Sequence, residues 1–340
     1  MHKILITGGA GFVGRRFTRH FLERGDEVHV VDPIEAHTGG VDPAAGWPLF
    51  EPRDWSNFKF YQQDCRVYFE LTADTEFDYA LHLAAVVGGR LLIEDNPLVV
   101  AEDLSIDAAY WQWAKRARPA KTVCFSSSAA YPVKFQRAES YVLLEEGMID
   151  FEGDIGVPDL TYGWAKLTCE YLARLAYSRH GIKSVTYRPF SGYGEDQDAT
   201  YPFPSICQRV LANYRASEIS VWGSGTQMRD FIHIDDCVRG VIATMDLIDD
   251  GDAINLSTGT LTSFIEFAGL AAAACGYFPA VKGISDKPEG VYARGGDTKR
   301  QRAFGFTHDI SFRAGIERAI EYYTNGTKKH WCGKDRRSSP

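Results

Sequence analysis

Residues 1–14, with the sequence MHKILITGGAGFVG, decide the fold of this chain. The apolar run at residues 4–6 predicts a short buried strand, and residues 12–21 predict a helix. The turn between them contains Gly8, Gly9, Gly11 and Gly14. Glycine lets the backbone approach a phosphate closely, and the free N–H groups and the dipole of a helix N-terminus favour its negative charge. The stretch therefore predicts a pyrophosphate site, although a glycine-rich turn alone is a weak signal.

An aspartate follows the second predicted strand. Residues 27–31 (EVHVV) alternate as a strand does, and Asp32 comes directly after them. Asp32 lies about 20 residues beyond the last glycine, the usual distance to the acid that accepts the ribose hydroxyls of a dinucleotide. Because a carboxylate there repels a 2′-phosphate, the sequence favours NAD over NADP.

Composition argues against several classes of protein. The 340 residues suffice for about two domains, or for one large α/β unit with an added lobe. The formal net charge of −8 argues against a nucleic-acid partner. The seven cysteines are scattered without a CxxC pair, which fits a reducing compartment, and no His/Cys spacing suggests a metal site.

Neither a targeting segment nor a membrane span is predicted. A strand is predicted from residue 3, which leaves no room for a signal peptide. No apolar run reaches membrane-spanning length. We therefore expect a cytoplasmic protein without a membrane partner.

Short apolar strands alternate with helical segments through the first half of the chain. Beyond the first two strands, the pattern predicts strands at 58–62, 78–83, 122–125 and 185–187, and helices at 96–116 and 162–180. This alternation is typical of an α/β fold with a Rossmann-type doubly wound parallel sheet. The regularity ends near residue 190, and the Pro-, Gly- and aromatic-rich segments beyond it suggest a smaller C-terminal substrate-binding lobe.

These patterns predict the organisation of the domains. We expect residues 1–190 to form an NAD-binding domain, with returning segments at about 230–257 of which residues 231–234 and 253–256 re-enter the sheet. Residues 191–229 and 258–325 would form the lobe. Residues 326–340, which end in a basic cluster, would form a flexible tail.

Candidate catalytic side chains follow later strands. Ser126, Ser127 and Ser128 come off the predicted strand at 122–125. Tyr162 and Lys166 are four residues apart in a predicted helix, so their side chains share one face. That spacing often arises by chance, and it gains weight only beside the glycine loop and Asp32.

Together these motifs strongly resemble the extended short-chain dehydrogenase/reductase family, specifically its nucleotide-sugar epimerases and dehydratases. The resemblance runs from Thr7 to about Tyr323 and keeps the family's order of motifs. The matching motifs are TGGAGFVG at 7–14, Asp32, Asp64 with Arg66, LHLAA at 81–85, SSS at 126–128, Tyr162 with Lys166, RPF at 188–190 and WGSGTQMRDF at 222–231.

The resemblance implies a bound NAD and a nucleotide-diphosphate sugar substrate. Tyr162 would exchange a proton with a sugar hydroxyl as hydride moves to or from the nicotinamide. Lys166 would stabilise the phenolate, and Ser127 would hydrogen-bond the reacting oxygen. The implied NAD-binding residues are Gly8, Gly11, Phe12, Val13, Gly14, Asp32, Asp64, Cys65, Leu83, Ala84, Ala85, Tyr162 and Lys166.

The resemblance also implies a set of substrate-binding residues. Arg229 and Arg294 would clamp the diphosphate, a task suited to the planar guanidinium group. Ser128 is the alternative to Ser127 as the serine beside the reacting oxygen. The implied substrate-binding residues are Gly89, Arg90, Ser127, Ser128, Ser191, Arg229 and Arg294.

The residues after Ser127 discriminate among the reactions of the family. Its 4,6-dehydratases carry an Asp-Glu pair there, and its 3,5-epimerases carry a Cys two places after the serine. This chain has Ser128 and Ala129, which cannot perform that additional acid/base step. A 4-epimerase needs only the Tyr–Lys–Ser set and NAD. The sequence therefore predicts C4 epimerisation through a transient 4-keto sugar with tightly bound NAD.

Three alternatives stay open. Glu195, Asp196, Asp198 or Arg90 could supply non-standard acid/base chemistry, which would give a 3,5-epimerase or a dehydratase. A 4-ketoreductase or a net 4-dehydrogenase would share every motif. A non-catalytic NAD-sensing protein would share the fold, although it would have no use for the intact Tyr–Lys–Ser set.

The sequence determines neither the nucleotide nor the sugar of the substrate. The family also implies a homodimer that associates through the helices predicted at 96–116 and 162–180.

Overall fold

Strands and helices alternate from residue 3 onward. The computed structural model describes residues 1–35, 39–72, 75–88, 90–284, 286–287 and 289–332, without the side chains of residues 90–92 and 326–332. The strands are β1 (Lys3–Thr7), β2 (Glu27–Val31), β3 (Phe58–Tyr61), β4 (Tyr79–His82), β5 (Lys121–Phe125), β6 (Ser184–Pro189), β7 (Ser191–Tyr193), β8 (Glu218–Trp222), β9 (Met228–Arg229), β10 (Phe231–His233), β11 (Asp250–Leu256), β12 (Thr262–Ser263), β13 (Ala280–Ile284) and β14 (Ala293–Arg294). The helices are α1 (Phe12–Glu23), α2 (Cys65–Leu71), α3 (Arg90–Asp95), α4 (Pro97–Val100), α5 (Glu102–Ala117), α6 (Leu160–His180), α7 (Pro202–Ala212), α8 (Ile234–Thr244), α9 (Phe264–Ala274), α10 (Lys299–Ala303) and α11 (Phe312–Cys332).

The main sheet confirms the predicted doubly wound architecture. Its seven strands lie in the order β11-β6-β5-β4-β1-β2-β3, and every neighbouring pair is parallel. The order reverses between β1 and β4. In such sheets ligands bind beyond the carboxyl ends of the strands at this point of reversal, so the fold directs attention to the segments after β1 and β4.

Both faces of the sheet are covered by helices. Ile4 and Ile6 of β1 pack with residues of α1 and α8, whereas Leu5 points to the opposite face and packs with residues of α2, α5 and α6. Successive side chains of a strand point to opposite faces, so a strand covered on both sides must be apolar throughout. This explains the uninterrupted apolar run that the sequence shows at residues 4–6.

The second half of the chain builds a separate core. Aromatic side chains of β10, α7, α9 and α11 pack together there, and the rings of Phe231 and Phe312 stack with centroids 4.5 Å apart. This core is flanked by the strand pairs β7–β10 and β8–β13 and by the three-stranded sheet β12-β9-β14. The boundaries of the domains themselves stay a prediction.

Three sequence-based expectations differ from the structure. Residues 231–234 do not re-enter the main sheet, because Phe231–His233 pairs with Ser191–Tyr193 in a sheet of two strands. The helix predicted at 96–116 is divided at Ala101, where the Leu104 N–H bonds to the Ala101 carbonyl and the hydrogen-bond step shortens to three residues. The part of the predicted tail up to Cys332 is helical, and residues 333–340 lie outside the described residues.

No helix in the described part of the chain is both long enough and apolar enough to cross a membrane.

Candidate active site

The glycine loop lies at the carboxyl end of β1, beside the segment that follows β4. Gly8 has a φ of +69°, and a Cβ there would lie 2.8 Å from the Ala84 nitrogen. A Cβ on Gly14 would lie 2.5 Å from the Cα of Gly9. The first two residues of α1, Phe12 and Val13, follow an N-cap glycine that makes no side-chain capping bond. Their N–H groups belong to an uncapped helix N-terminus, which can hold a pyrophosphate.

Asp32 lies at the carboxyl end of β2 and is only 3% exposed. One carboxylate oxygen accepts the Ala10 N–H at 3.1 Å and the other accepts the Ile34 N–H at 2.9 Å. Burial raises the pKa of Asp32, while these two hydrogen bonds and the charge of Arg15 lower it. A carboxylate has about four acceptor positions, so two stay available for ribose hydroxyls. The glycine loop and Asp32 therefore fit a dinucleotide.

Two further NAD-binding segments of the sequence-based prediction lie at the same edge of the sheet. Asp64 follows β3, caps α2 by accepting the Arg66 N–H at 2.8 Å, and also pairs with the Arg66 guanidinium. Cys65 is buried, and burial raises the pKa of its thiol to about 12, so it is not a reactive thiol. The Leu83 N–H bonds to the carbonyl of Thr7 at 3.1 Å, which holds the segment of Leu83, Ala84 and Ala85 against the glycine loop.

Ser127, Tyr162 and Lys166 meet beyond the carboxyl end of β5. Ser127 is extended and its hydroxyl accepts the Ala129 N–H at 3.1 Å. The same side chain lies close enough to Tyr162 to lower the pKa of its phenol. The Lys166 ammonium lies 5.5 Å from the centre of the Tyr162 ring. The structure thus unites three residues from two distant segments of the sequence.

The ionisation of Tyr162 is governed by opposing influences. Burial raises the pKa of Tyr162, the charge of Lys166 lowers it, and Asp103 raises it again. The neighbouring Ser127 side chain and the charge of Arg294 lower it further. Burial also opposes the charge on Lys166, yet Asp103, Tyr162 and Asp107 keep the pKa of the ammonium above its ordinary value. Lys166 is therefore a buried cation beside a phenol, and its charge only partly offsets the burial and the Asp103 charge that hold the pKa of Tyr162 above its ordinary value.

A buried ion pair fixes the elements that carry these residues. Glu170 of α6 and Arg188 of β6 have side chains that are each 1% exposed, with Nη2 and Oε2 2.6 Å apart. The Ser126 hydroxyl donates to the other Glu170 oxygen at 2.5 Å. One carboxylate therefore connects the end of β5, helix α6 and strand β6.

Arg229 and Arg294 lie side by side on the paired strands β9 and β14. Arg294 donates to the Gln136 amide oxygen at 2.6 Å and to the Asp159 carboxylate at 2.7 Å. Arg229 donates to the backbone carbonyls of Met228 and Glu289. A guanidinium carries five N–H donors in a planar fork, a geometry suited to binding a phosphate. Motif comparison did not indicate Gln136 or Asp159, which lie far from Arg294 in the sequence.

The other substrate-binding residues of the prediction differ in their positions. Ser128 and Ala129 are buried in a short 3-10 turn beneath the start of α6. Ser191 opens β7 and is partly exposed. Gly89 and the side chain of Arg90 lie outside the described residues.

The acidic residues that could have supplied extra acid/base chemistry contact other protein groups. The Asp196 side chain is 1% exposed and pairs with both Arg15 and Arg16 of α1. Glu195 lies 3.5 Å from His233 and 3.9 Å from Arg16. Asp198 is exposed and accepts from Thr200.

Sequence reasoning missed two buried carboxylates that adjoin the site. Asp103 and Asp107 are four residues apart on α5 and both are buried. Asp103 lies 3.5 Å from the Lys166 ammonium, and Asp107 lies 3.1 Å from His82. The signal was available, since both acids occupy the apolar stripe of an amphipathic helix, where charged residues are rare.

Among the described residues, no group of three or more His, Cys, Asp or Glu side chains could hold a metal ion.

Comparisons with known proteins agree with this geometry. The profile of the NAD dependent epimerase/dehydratase family matches residues 4–257. UDP-glucuronate 4-epimerase of Thermodesulfobacterium geofontis is 30% identical over 245 residues, which cover 71% of this chain and 71% of that protein. GDP-L-fucose synthase of Escherichia coli is 24% identical over 339 residues, which cover 94% of this chain and 96% of that protein.

A solved structure extends the comparison to the fold. UDP-glucose 4-epimerase of Thermus thermophilus in complex with NAD matches with a TM-score of 0.78 at 20% identity. The match covers 95% of this chain and 99% of that chain. The similar proteins carry the names of more than one reaction, so similarity alone does not select one.

Proposed function

Because the chain belongs to the NAD dependent epimerase/dehydratase family, we propose that it is a nucleotide-sugar 4-epimerase that works through a transient 4-keto sugar. The observation that carries the proposal is that Tyr162, Lys166 and Ser127 lie together, whereas the carboxylates of Glu195 and Asp196 pair with basic side chains. A 4-epimerase needs the first set and has no need of a further acid or base.

Each residue of the set has a distinct task. Tyr162 takes the proton from the C4 hydroxyl and returns it, and Lys166 stabilises the phenolate in between. Ser127 donates a hydrogen bond to the same sugar oxygen. Bound NAD supplies the acceptor and donor of the hydride. No residue needs to remove a proton from carbon, which agrees with the buried, non-acidic Ser128 and Ala129.

The remaining binding residues hold the two ligands. The uncapped N-terminus of α1, Asp32 and Asp64 bind the pyrophosphate, ribose and adenine of NAD. Arg229 and Arg294 hold the diphosphate of the substrate through their guanidinium groups.

The test is incubation with a panel of nucleotide sugars in deuterated water, with the products followed by NMR and mass spectrometry. A 4-epimerase inverts C4 without net NADH and without solvent deuterium on carbon, because the hydride returns to the carbon it left. Deuterium at C3 or C5 would instead identify a 3,5-epimerase. Loss of water would identify a dehydratase, and net NADH would identify a dehydrogenase.

Tyr162→Phe is the matched control for this experiment. Because general acid/base catalysis typically contributes about 100-fold or more, we expect this variant to lose at least that much turnover. Its affinity for NAD should stay close to that of the parent protein. Turnover within a few-fold of the parent would contradict the role given to Tyr162.

A further inference from the structure

Asp103 of α5 contacts both Lys166 and the loop that follows β4, where the strand order of the sheet reverses. Its side chain is 1% exposed, and one oxygen lies 3.5 Å from the ammonium of Lys166, which is 6% exposed. The other oxygen accepts the Val86 N–H at 2.6 Å. Val86 belongs to the segment that follows β4 and lies beside Ala84 and Ala85. A single buried carboxylate therefore contacts both halves of the site.

We propose that Asp103 is a positioning residue that holds Lys166 beside Tyr162 and offsets the lysine charge, so that Tyr162 keeps its proton until the cationic form of the cofactor is bound. The inference rests on the proposed function only in giving Tyr162 the role of acid/base. It concerns the charge balance of the site, which the family motifs do not describe.

The charge balance follows from counting the buried groups. The Lys166 cation pairs with Asp103 and the Arg294 cation pairs with Asp159, so ionisation of Tyr162 would add a negative charge without a cation of its own to a buried site. Such a charge is costly in a medium of low dielectric constant. An oxidised nicotinamide ring brings the missing positive charge. Tyr162 would therefore become an effective base only when the site holds oxidised NAD, which accepts the hydride from the sugar.

Ionisable groups from several elements surround the Tyr162–Lys166 pair. Helix α5 also contributes Asp107, which pairs with His82. Helix α6 contributes Cys169, and β14 contributes Arg294, which adjoins Tyr162. Helix α4 has no ionisable side chain, and Glu94 and Asp95 of α3 are exposed. Among the side chains that the structure describes, the groups that face the pair are Asp103, Asp107, Cys169, Arg294 and Tyr201.

The direction of the electrostatic effect is clear. The charge of Asp103 raises the pKa of Tyr162 and also that of Lys166. Removing the carboxylate therefore makes it easier for the Tyr162–Lys166 pair to lose its first proton. If Asp103 had only a structural role, replacing it would change the stability of the protein but not the pH at which Tyr162 ionises.

The experiment is an NMR titration of protein whose tyrosines carry ¹³C at Cζ, recorded without cofactor and with saturating NAD. Tyr162→Phe assigns the signal. We expect Asp103→Asn, which keeps an acceptor for the Val86 N–H, to lower the pH of the Tyr162 transition by about one unit or more in both samples. In the parent protein, NAD should lower the same transition. Glu102→Gln is the control, because Glu102 is the adjacent, exposed acid of the same helix.

An Asp103→Asn protein that titrates as the parent does would overturn the proposal, since it would show that the carboxyl carries no charge that Tyr162 senses. Should Asp103→Asn not fold, Asp103→Ser removes the same charge and is judged by the same shift. The titration without cofactor needs no sugar substrate. It therefore tests Asp103 even if the protein proves to catalyse another reaction of its family.

Discussion

Asp32 illustrates how one side chain can serve the fold and the ligand together. Its two oxygens hold the backbone of the glycine loop at Ala10 and the start of the next loop at Ile34. Its position at the end of β2 was predictable from its distance to the glycines, because both lie on one βαβ unit. Its 3% exposure was not predictable, because it depends on the chain that folds over it.

Asp32→Ala should weaken NAD binding by roughly 10-fold or more, because hydrogen bonds to a charged partner contribute about 1.5–3 kcal/mol each. The affinity for NADP should change much less, because the carboxylate that repels a 2′-phosphate is gone. Titration calorimetry measures both affinities. Asp42→Ala is the control, since Asp42 is an exposed acid of the same loop. An equal loss for the two cofactors would remove the argument for NAD selectivity at Asp32.

At the scale of elements, the glycine loop and α1 depend on an unusually close approach of two backbones. Gly14 is in the first turn of α1, and its Cα faces the backbone of Gly8 and Gly9 without room for a methyl group. The sequence identified this feature because the requirement is steric and local. Helix α5 is the opposite case, since its acids acquire a role only by packing on α6.

Gly14→Ala should abolish NAD binding and lower the melting temperature, because its Cβ would lie 2.5 Å from the Cα of Gly9 and force the loop to move. Calorimetric melting with and without NAD measures both effects. Gly269→Ala is the matched control. Gly269 lies within α9 with no atom within 4 Å of its would-be Cβ, so alanine should stabilise the protein by up to about 1 kcal/mol. Parent-like NAD binding by Gly14→Ala would show that the loop tolerates displacement.

At the scale of the molecule, a buried ion-pair cluster joins the glycine-loop helix to the segment after β7. Arg15 and Arg16 of α1 meet Asp196 and Glu195 there. Burial opposes the charge on Glu195, but His233, whose Nε2 lies 3.5 Å from Glu195 Oε1, and the charge of Arg16 lower its pKa from 4.5 to about 2. The cluster should therefore respond to acid.

Because the pKa of Glu195 is lower in the folded protein than in the unfolded chain, its contribution to stability is complete above about pH 4.5 and is lost as the pH falls toward 2. Glu195→Gln should lower the free energy of unfolding at neutral pH and make its decline below pH 4.5 shallower. Urea unfolding at several pH values measures this. Glu139→Gln is the control for the loss of one exposed acid. If the free energy of unfolding declined equally below pH 4.5 in the parent protein and in Glu195→Gln, the lowered pKa given to Glu195 would be wrong.

Exposed aromatic side chains on α6 could form part of the interface of the predicted homodimer. Trp164 and Tyr171 are each 46% exposed on this helix, and Leu104 of α5 is 41% exposed. We expect light scattering after size exclusion to give the mass of two chains. Trp164→Glu combined with Tyr171→Glu should yield monomers, because charges would replace aromatic contacts. Tyr214→Glu, at a residue 52% exposed on another part of the surface, should leave the mass unchanged. A monomeric parent protein would refute the prediction.

The sequence by itself determined the parallel sheet, the glycine loop with Asp32, and the shared face of Tyr162 and Lys166. Each of these depends on periodicity or on steric limits within a short stretch of chain. Only the tertiary structure decided what surrounds them: Asp103 beside Lys166, Asp159 beside Arg294, and Asp196 between Arg15 and Arg16. Such partners are distant in the sequence and meet only when helices and strands pack, so no local pattern specifies them. For this reason the residue types of the site could be predicted, whereas its charge balance could not.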